Sequence, residues 1–239
     1  MTHAMLKGSN VPLDAASVRA VLRWLPRPGV PEVDVSALLL GPDDRVRSDE
    51  DFVFYNQPRH PSGLVWRLGK KRTPDGLTDA VQTDLAGLDP SVGRVLIVAS
   101  AEDTPFEQVS GLRILLYDAA GSGDEPIAYF DVKPETGTET ALICGELYRR
   151  GESWKFRALG EGYSNGLEGL ATDFGISVDE SEATSQTTAP GPQTPQPQTS
   201  QAQQTGQAPQ SPATEPARQP AYGYPPVPPP PPTRPAYGY

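Results

Sequence analysis

TETALICGELYRRGESWKFRALGEGYSNGLEGLATDFG, residues 138–175, decides how this chain folds. Apolar and polar residues alternate at period two through Thr140–Tyr148 and again through Trp154–Leu159, the pattern of half-buried strands on either side of a short turn. The period then changes. From Ser164 to Phe174, Leu167, Leu170, Ala171 and Phe174 recur at i, i+3, i+4 and i+7, which predicts a helix with Ser164 as N-cap and Gly175 as the C′ residue. A helix this short and glycine-containing draws its stability from docking on a sheet rather than from propensity.

The same two-residue period extends outward over most of the chain. Val18, Ala20, Leu22 and Trp24 share one face of a first strand, Val33–Leu40 runs into a fully apolar stretch, and Phe52–Tyr55 follows the turn GPDDRVRSDED. Leu64–Leu68, Ala80–Leu85, Arg94–Ala99, Leu112–Tyr117 and Ile127–Val132 complete a set of about ten strands, with turn signals every 8–12 residues. The fold class is therefore mainly all-β, a two-sheet sandwich or a barrel. A second short helix is predicted over Pro105–Val109.

Composition divides the 239 residues into two parts. Beyond residue 180 the chain is almost entirely Pro, Gln, Thr, Ala, Ser and Gly, and its four charges, Glu182, Glu215, Arg218 and Arg234, cancel. Removing two of each sign from 20 Lys and Arg and 30 Asp and Glu leaves 18 against 28, so the whole net charge of −10 falls on residues 1–180. The tail, residues 181–239, cannot bury enough apolar surface to offset its ordering entropy and is expected to be disordered. Its PPVPPPPP run (Pro225–Pro232) favours polyproline II, between two copies of PAYGY, and offers a ligand to a groove that reads polyproline or a flexible spacer.

An acidic body without a linear Lys/Arg stripe interleaved with aromatics argues against nucleic acid as a partner. No apolar run approaches the length of a membrane span. The N-terminus lacks the signature of a secretion signal and Cys144 is the only cysteine, so a cytoplasmic protein is expected.

Enzyme templates lack parts. The histidines are His3, in a start expected to fray, and His60, in the loop RHPSG, where a solvated surface position is expected; a Ser–His–Asp arrangement would have to recruit it. Cys144 reads as a buried inert thiol, and one cysteine with two histidines argues against a zinc site. GEGYSNG (Gly160–Gly166) departs from the GxGxxG dinucleotide spacing and reads as a tight strand-to-helix connection. Hard-cation binding is the metal chemistry the inventory permits, since acids crowd the turns: Glu32 and Asp34, Asp43 and Asp44, Asp49 to Asp51, Asp75 and Asp79, Glu102 and Asp103, with Asn56 beside them.

Three patches, DVSALLLG (Asp34–Gly41), SDEDFVFYN (Ser48–Asn56) and the run quoted above, resemble the tellurium-resistance TerD family in order, and the similarity starts at LKGSNVPL (Leu6–Leu13) and ends near residue 178. The resemblance implies a β-sandwich of two packed sheets in a bacterial, cytoplasmic, non-enzymatic protein of tellurite and general stress response, binding Ca²⁺ through acidic loops at one end. By position, Asp34 matches the second acid of the family's FDLDAS motif, Glu32 replaces the first, and Asp49 and Asn56 match. The family's main acidic loop resembles GDNxTGxGxGDDE, whereas this chain has GKKRTPDGLTD: Lys70 and Lys71 stand in place of Asp and Asn, and Leu77 and Thr78 in place of the double Asp. Two cations in place of two oxygen donors oppose a divalent ion. The expected function is thus a stress-response binding or scaffold protein with a degraded calcium site, whose Lys70, Lys71 and Arg72 bind an acidic protein partner or pair internally with Glu32 and Asp34. The alternative is a Ca²⁺ sensor with a weakened site of Glu32, Asp34, Asn56, Asp75 and Asp79.

Overall fold

Every second side chain of Ser17–Trp24 is buried, and the same alternation through the other strands sorts the chain into layers. The computed structural model describes residues 2–177 apart from 31, 103 and 122–124. The strands are β1 (His3–Ala4), β2 (Asn10–Leu13), β3 (Ser17–Trp24), β4 (Val33–Leu40), β5 (Phe52–Val53), β6 (Val65–Arg67), β7 (Lys71–Thr73), β8 (Gly76–Asp84), β9 (Arg94–Ala101), β10 (Arg113–Asp118), β11 (Ala128–Asp131), β12 (Ala141–Arg150) and β13 (Ser153–Tyr163), followed by the helix α1 (Gly166–Asp173). One sheet has the order β1-β11-β10-β3-β8-β6 with β7 also paired to β8; the other has the order β2-β13-β12-β9-β4-β5. The described residues form a β-sandwich.

The two sheets enclose the main core, to which Leu22, Trp24 and Ile114 contribute from the first and Val35, Leu39, Ile97 and Phe156 from the second. A second core forms on the far side of the second sheet. There Leu38, Leu40, Phe52, Leu96, Val98 and Ile143 meet Leu170 and Ala171 of α1, so β4 is buried on both faces and reads as the continuous run ALLL. The helix is thus held by docking. It ends in a Schellman turn: Gly175, at φ 93°, donates its N–H to the Thr172 carbonyl at 3.0 Å, and Ile176 donates to Ala171 at 2.9 Å. The sheet edges are short or interrupted, with two-residue strands at β1 and β5 and Pro12 inside the edge strand β2.

Several boundaries differ from the sequence expectation. His3 is not frayed; it pairs in β1, parallel to β11, opposite Ala128. GKKRT is not a plain loop, since Lys71–Thr73 form β7 against β8. The connection read from GEGYSNG begins later, because β13 continues to Tyr163, and the N-cap of α1 is Asn165, without a side-chain cap bond, rather than Ser164. Pro105–Val109 contains only a 3-10 turn, Phe106–Gln108, and another covers Asp49–Asp51. The tail with its polyproline run and PAYGY repeat lies outside the described residues. Among the described residues no helix is long and apolar enough to cross a membrane.

Candidate functional site

Strand parity places two charged residues where apolar ones belong. Asp79 is in register with the inward-facing Leu22, and Arg67 with the inward-facing Val81, so both point between the sheets near one end of the sandwich. Asp79 is fully buried. Its Oδ2 accepts the Val35 N–H at 2.9 Å and its Oδ1 the Ala80 N–H at 2.9 Å. Val35 needs this acceptor because β5 pairs only with Ala37 and Leu38, which leaves the start of β4 without a strand on that side. One carboxylate therefore ties the two sheets together.

Arg67 Nη2 donates both to Asp79 Oδ2 and, at 3.0 Å, to Asp34 Oδ1. Lys70 Nζ then bridges Asp34 Oδ2 at 3.1 Å and Glu32 Oε2 at 2.6 Å. The result is an alternating chain, Asp79, Arg67, Asp34, Lys70, Glu32, running from the interior to the surface. Side-chain exposure rises from 0% at Asp79 and 8% at Arg67 to 75% at Glu32. Burial would disfavour the Lys70 ammonium, yet its bonds to Glu32 and Asp34 outweigh that and hold its pKa above the usual lysine value. The hairpin that carries Lys70 depends on Gly76, whose φ is 140° and whose place would not admit a side chain: a Cβ would stand 2.3 Å from the Trp24 carbonyl oxygen.

The five acid-site positions separate in space. Glu32, Asp34 and Asp79 come together. Asp75 sits beside the tip of the β7–β8 hairpin and reaches Arg23 at 3.6 Å. Asn56 lines a groove of about 1280 Å³ that also receives Asp34, Phe54, Tyr55 and Leu167. Of the cations, Lys70 is internal to the cluster, whereas Lys71 and Arg72 are exposed on β7 without an ion pair among the described residues. Both oxygens of Asp34 and both of Asp79 already accept from Arg67, Lys70 or a backbone N–H. This donor set does not fit a resident Ca²⁺, which takes six to eight oxygens and would have to displace the Lys70 ammonium. Arg67 escaped the sequence reading; its signal was an arginine at inward parity in Val65–Arg67, a position that demands a buried acid.

His60 corrects a second expectation: it is 8% exposed, not solvated. Its Nε2 meets Asp51 Oδ1 at 3.0 Å and its Nδ1 meets Ser62 Oγ at 2.7 Å, which does assemble Ser, His and Asp. The surroundings tie this trio down. Asp51 also accepts from the Arg47 guanidinium at 2.6 and 2.9 Å and from the Arg47 N–H at 2.8 Å. Burial pushes the Asp51 carboxyl up, but the bonds from Arg47 and His60 prevail and hold its pKa below the usual carboxylate range. The backbone N–H groups beside the hydroxyl are all committed, Ser62 to His60 Nδ1, Gly63 to the His60 carbonyl and Leu64 to Ser62 Oγ. An acyl-transfer site needs donors free for an oxyanion, and these are not. Cys144 is buried as expected, and burial pushes its thiol up to about 12.

Comparison with known proteins matches residues 1–174 to the TerD domain. The chain is 34% identical over 193 residues to tellurium resistance protein TerD of Serratia marcescens, covering 74% of this chain and 100% of that protein. It is 33% identical to general stress protein 16U of Bacillus subtilis, over 62% of this chain and 79% of that one. Among solved structures, a homologue of telluride resistance protein (TerD) from Streptomyces coelicolor A3(2) superposes with a TM-score of 0.53 at 20% identity, covering 66% of this chain and 95% of that one.

Proposed function

The chain belongs to the TerD family, and we propose that it is a non-enzymatic, cytoplasmic stress-response binding protein in which built-in cations take the part that Ca²⁺ plays in an acidic loop site. The names of its relatives, tellurium resistance protein and general stress protein, support the stress-response role. One observation carries the rest: Lys70 Nζ bridges Glu32 and Asp34 while Arg67 Nη2 bridges Asp34 and Asp79, so each of the three carboxylates already holds a built-in cation. A protein partner, rather than a metal or a substrate, is then what the scaffold is built to meet. The committed N–H groups around Ser62 support a structural rather than catalytic role for His60.

Calorimetric titration of the full chain with Ca²⁺ tests this. No binding heat is expected at millimolar Ca²⁺, and a Lys70→Asp, Lys71→Asn variant is expected to gain binding. Micromolar binding by the unmodified chain that disappears in Asp34→Ala would overturn the proposal. A weakened Ca²⁺ site of Glu32, Asp34, Asn56, Asp75 and Asp79 is the second reading, favoured by the shared groove of Asp34 and Asn56. It requires a calcium-dependent rise in melting temperature.

A further inference from the structure

The outer face of the seven-stranded sheet carries a charge pattern that the linear sequence conceals. Burial of Val18, Ala20, Leu22 and Trp24 turns Arg19, Val21 and Arg23 outward. Cross-strand register then builds rows: Tyr117, Arg19, Gln82 and Trp66 stand side by side, and so do Asp131, Arg113, Arg23, Thr78 and Lys71. Three guanidinium groups lie over aromatic rings on this face, Arg19 at 5.1 Å from the Tyr117 centroid, Arg113 at 4.4 Å from Tyr129 and Arg59 at 5.3 Å from Trp66. Here arginines and aromatics do interleave, across strands rather than along them.

Counter-charges on the face are incomplete. Asp131 holds Arg113 at 2.5 and 3.0 Å, and the exposed Asp75 stands 3.6 Å from Arg23. Arg19, Arg59 and Lys71 have no carboxylate partner among the described residues. On a chain of net charge −10 this is a local inversion of sign, and α1, which covers the opposite sheet, does not reach it. Arg19 and Arg23, four residues apart on one strand, are separated by about 13 Å, and Lys71 lies two strands from Arg23, about 10 Å away. Carboxylates at i and i+4 of an extended peptide have the same 13 Å spacing, to within about 1 Å.

We propose that this face docks an acidic, extended peptide segment of a partner protein, with Arg19, Arg23, Arg59 and Lys71 pairing its carboxylates. Single-stranded nucleic acid is the competing class for an arginine-aromatic sheet, but bases need open ring faces, and the rings of Tyr117, Tyr129 and Trp66 already carry guanidinium groups. A guanidinium stacked on a ring keeps its N–H edge for bidentate carboxylate binding. Arg19, Arg23 and Arg59 lie outside the Lys70 cluster, and only Lys71 adjoins it in the chain, so a calcium result at that cluster does not decide this one.

The test is an NMR titration of the isotope-labelled full chain with an acetylated octaglutamate peptide at low salt, beside an octaglutamine control. Amide shifts are expected on β3, β10 and the β6–β8 region with octaglutamate alone, and binding is expected to weaken at least about tenfold in Arg19→Glu, Arg59→Glu and at high salt. Absence of shifts at millimolar octaglutamate, shifts that map elsewhere, or binding unchanged in the double variant would each overturn the proposal. So would an oligothymidine that occupies the same face more tightly than the peptide.

Discussion

Asp79 and Asp51 are both buried carboxylates held by arginine, yet their surroundings differ in kind. Asp79 joins two sheets and begins a chain of alternating charges that reaches solvent at Glu32. Asp51 closes a local knot with Arg47, four residues before it in the chain, and with His60. The first cluster runs outward from a tie between sheets and can exchange its outermost partner; the second is a short-range network, in which Arg47 also reaches Ser91 at 2.8 Å and Asp89 at 3.9 Å, and holds loops in place. A change of charge at Lys70 would therefore fall on the outer end of the first cluster and leave the loops beside β5 fixed.

The largest effect should come from the inner end of the first cluster. Arg67→Ala leaves Asp79 buried without its cation and is expected to cost about 3–5 kcal/mol in urea unfolding, because an uncompensated interior charge is the expensive case. A loss below about 1 kcal/mol would mean that the two N–H donors alone satisfy Asp79 and that the sheets are not joined through the ion pair. His60→Ala should cost less, about 1–3 kcal/mol, since Asp51 keeps Arg47. If it exceeded Arg67→Ala, the Asp51 knot would be the principal anchor.

Acid sharpens the contrast further. Because the folded pKa of Asp51 is depressed, its contribution is present above the unfolded carboxyl value of about 3.9 and is lost as pH falls through the lower folded value. Stability of Asp51→Asn should therefore decline less steeply below about pH 4 than that of the unmodified chain, read from melting temperatures across that range. The smallest effect is expected for Lys70→Ala, under about 1 kcal/mol, because the Lys70–Glu32 end is solvent-exposed. Its raised folded pKa places that contribution below about pH 10, to be lost as pH rises through the folded value.

Legibility in the sequence followed the range of the interactions. Thr138–Gly175 could be read because its strand and helix periods are local, and the C′ role of Gly175 follows from the same pattern. Pairing of Lys70 with Glu32 and Asp34 was among the expected outcomes, since opposite charges were foreseen at one end of the sandwich. The bridging role of Arg67 was not, because it depends on the parity of a three-residue strand against β8. His60 was misplaced for a related reason: its loop is buried by Asp51, from a different turn, and by Ser62. The arginine-aromatic rows could not be seen along the chain at all, since each row takes one residue from each of several strands.

Pro12 in the edge strand β2 bears on assembly. It has no N–H to donate, and the other margins are the two-residue strands β1 and β5 and the three-residue strands β6 and β7, so an incoming strand finds little ladder to extend. Polymerisation by sheet continuation is disfavoured at both layers. The broad faces and loop ends are then the surfaces left for other molecules, and a contact made through the charges of the first sheet's outer face would weaken as ionic strength rises.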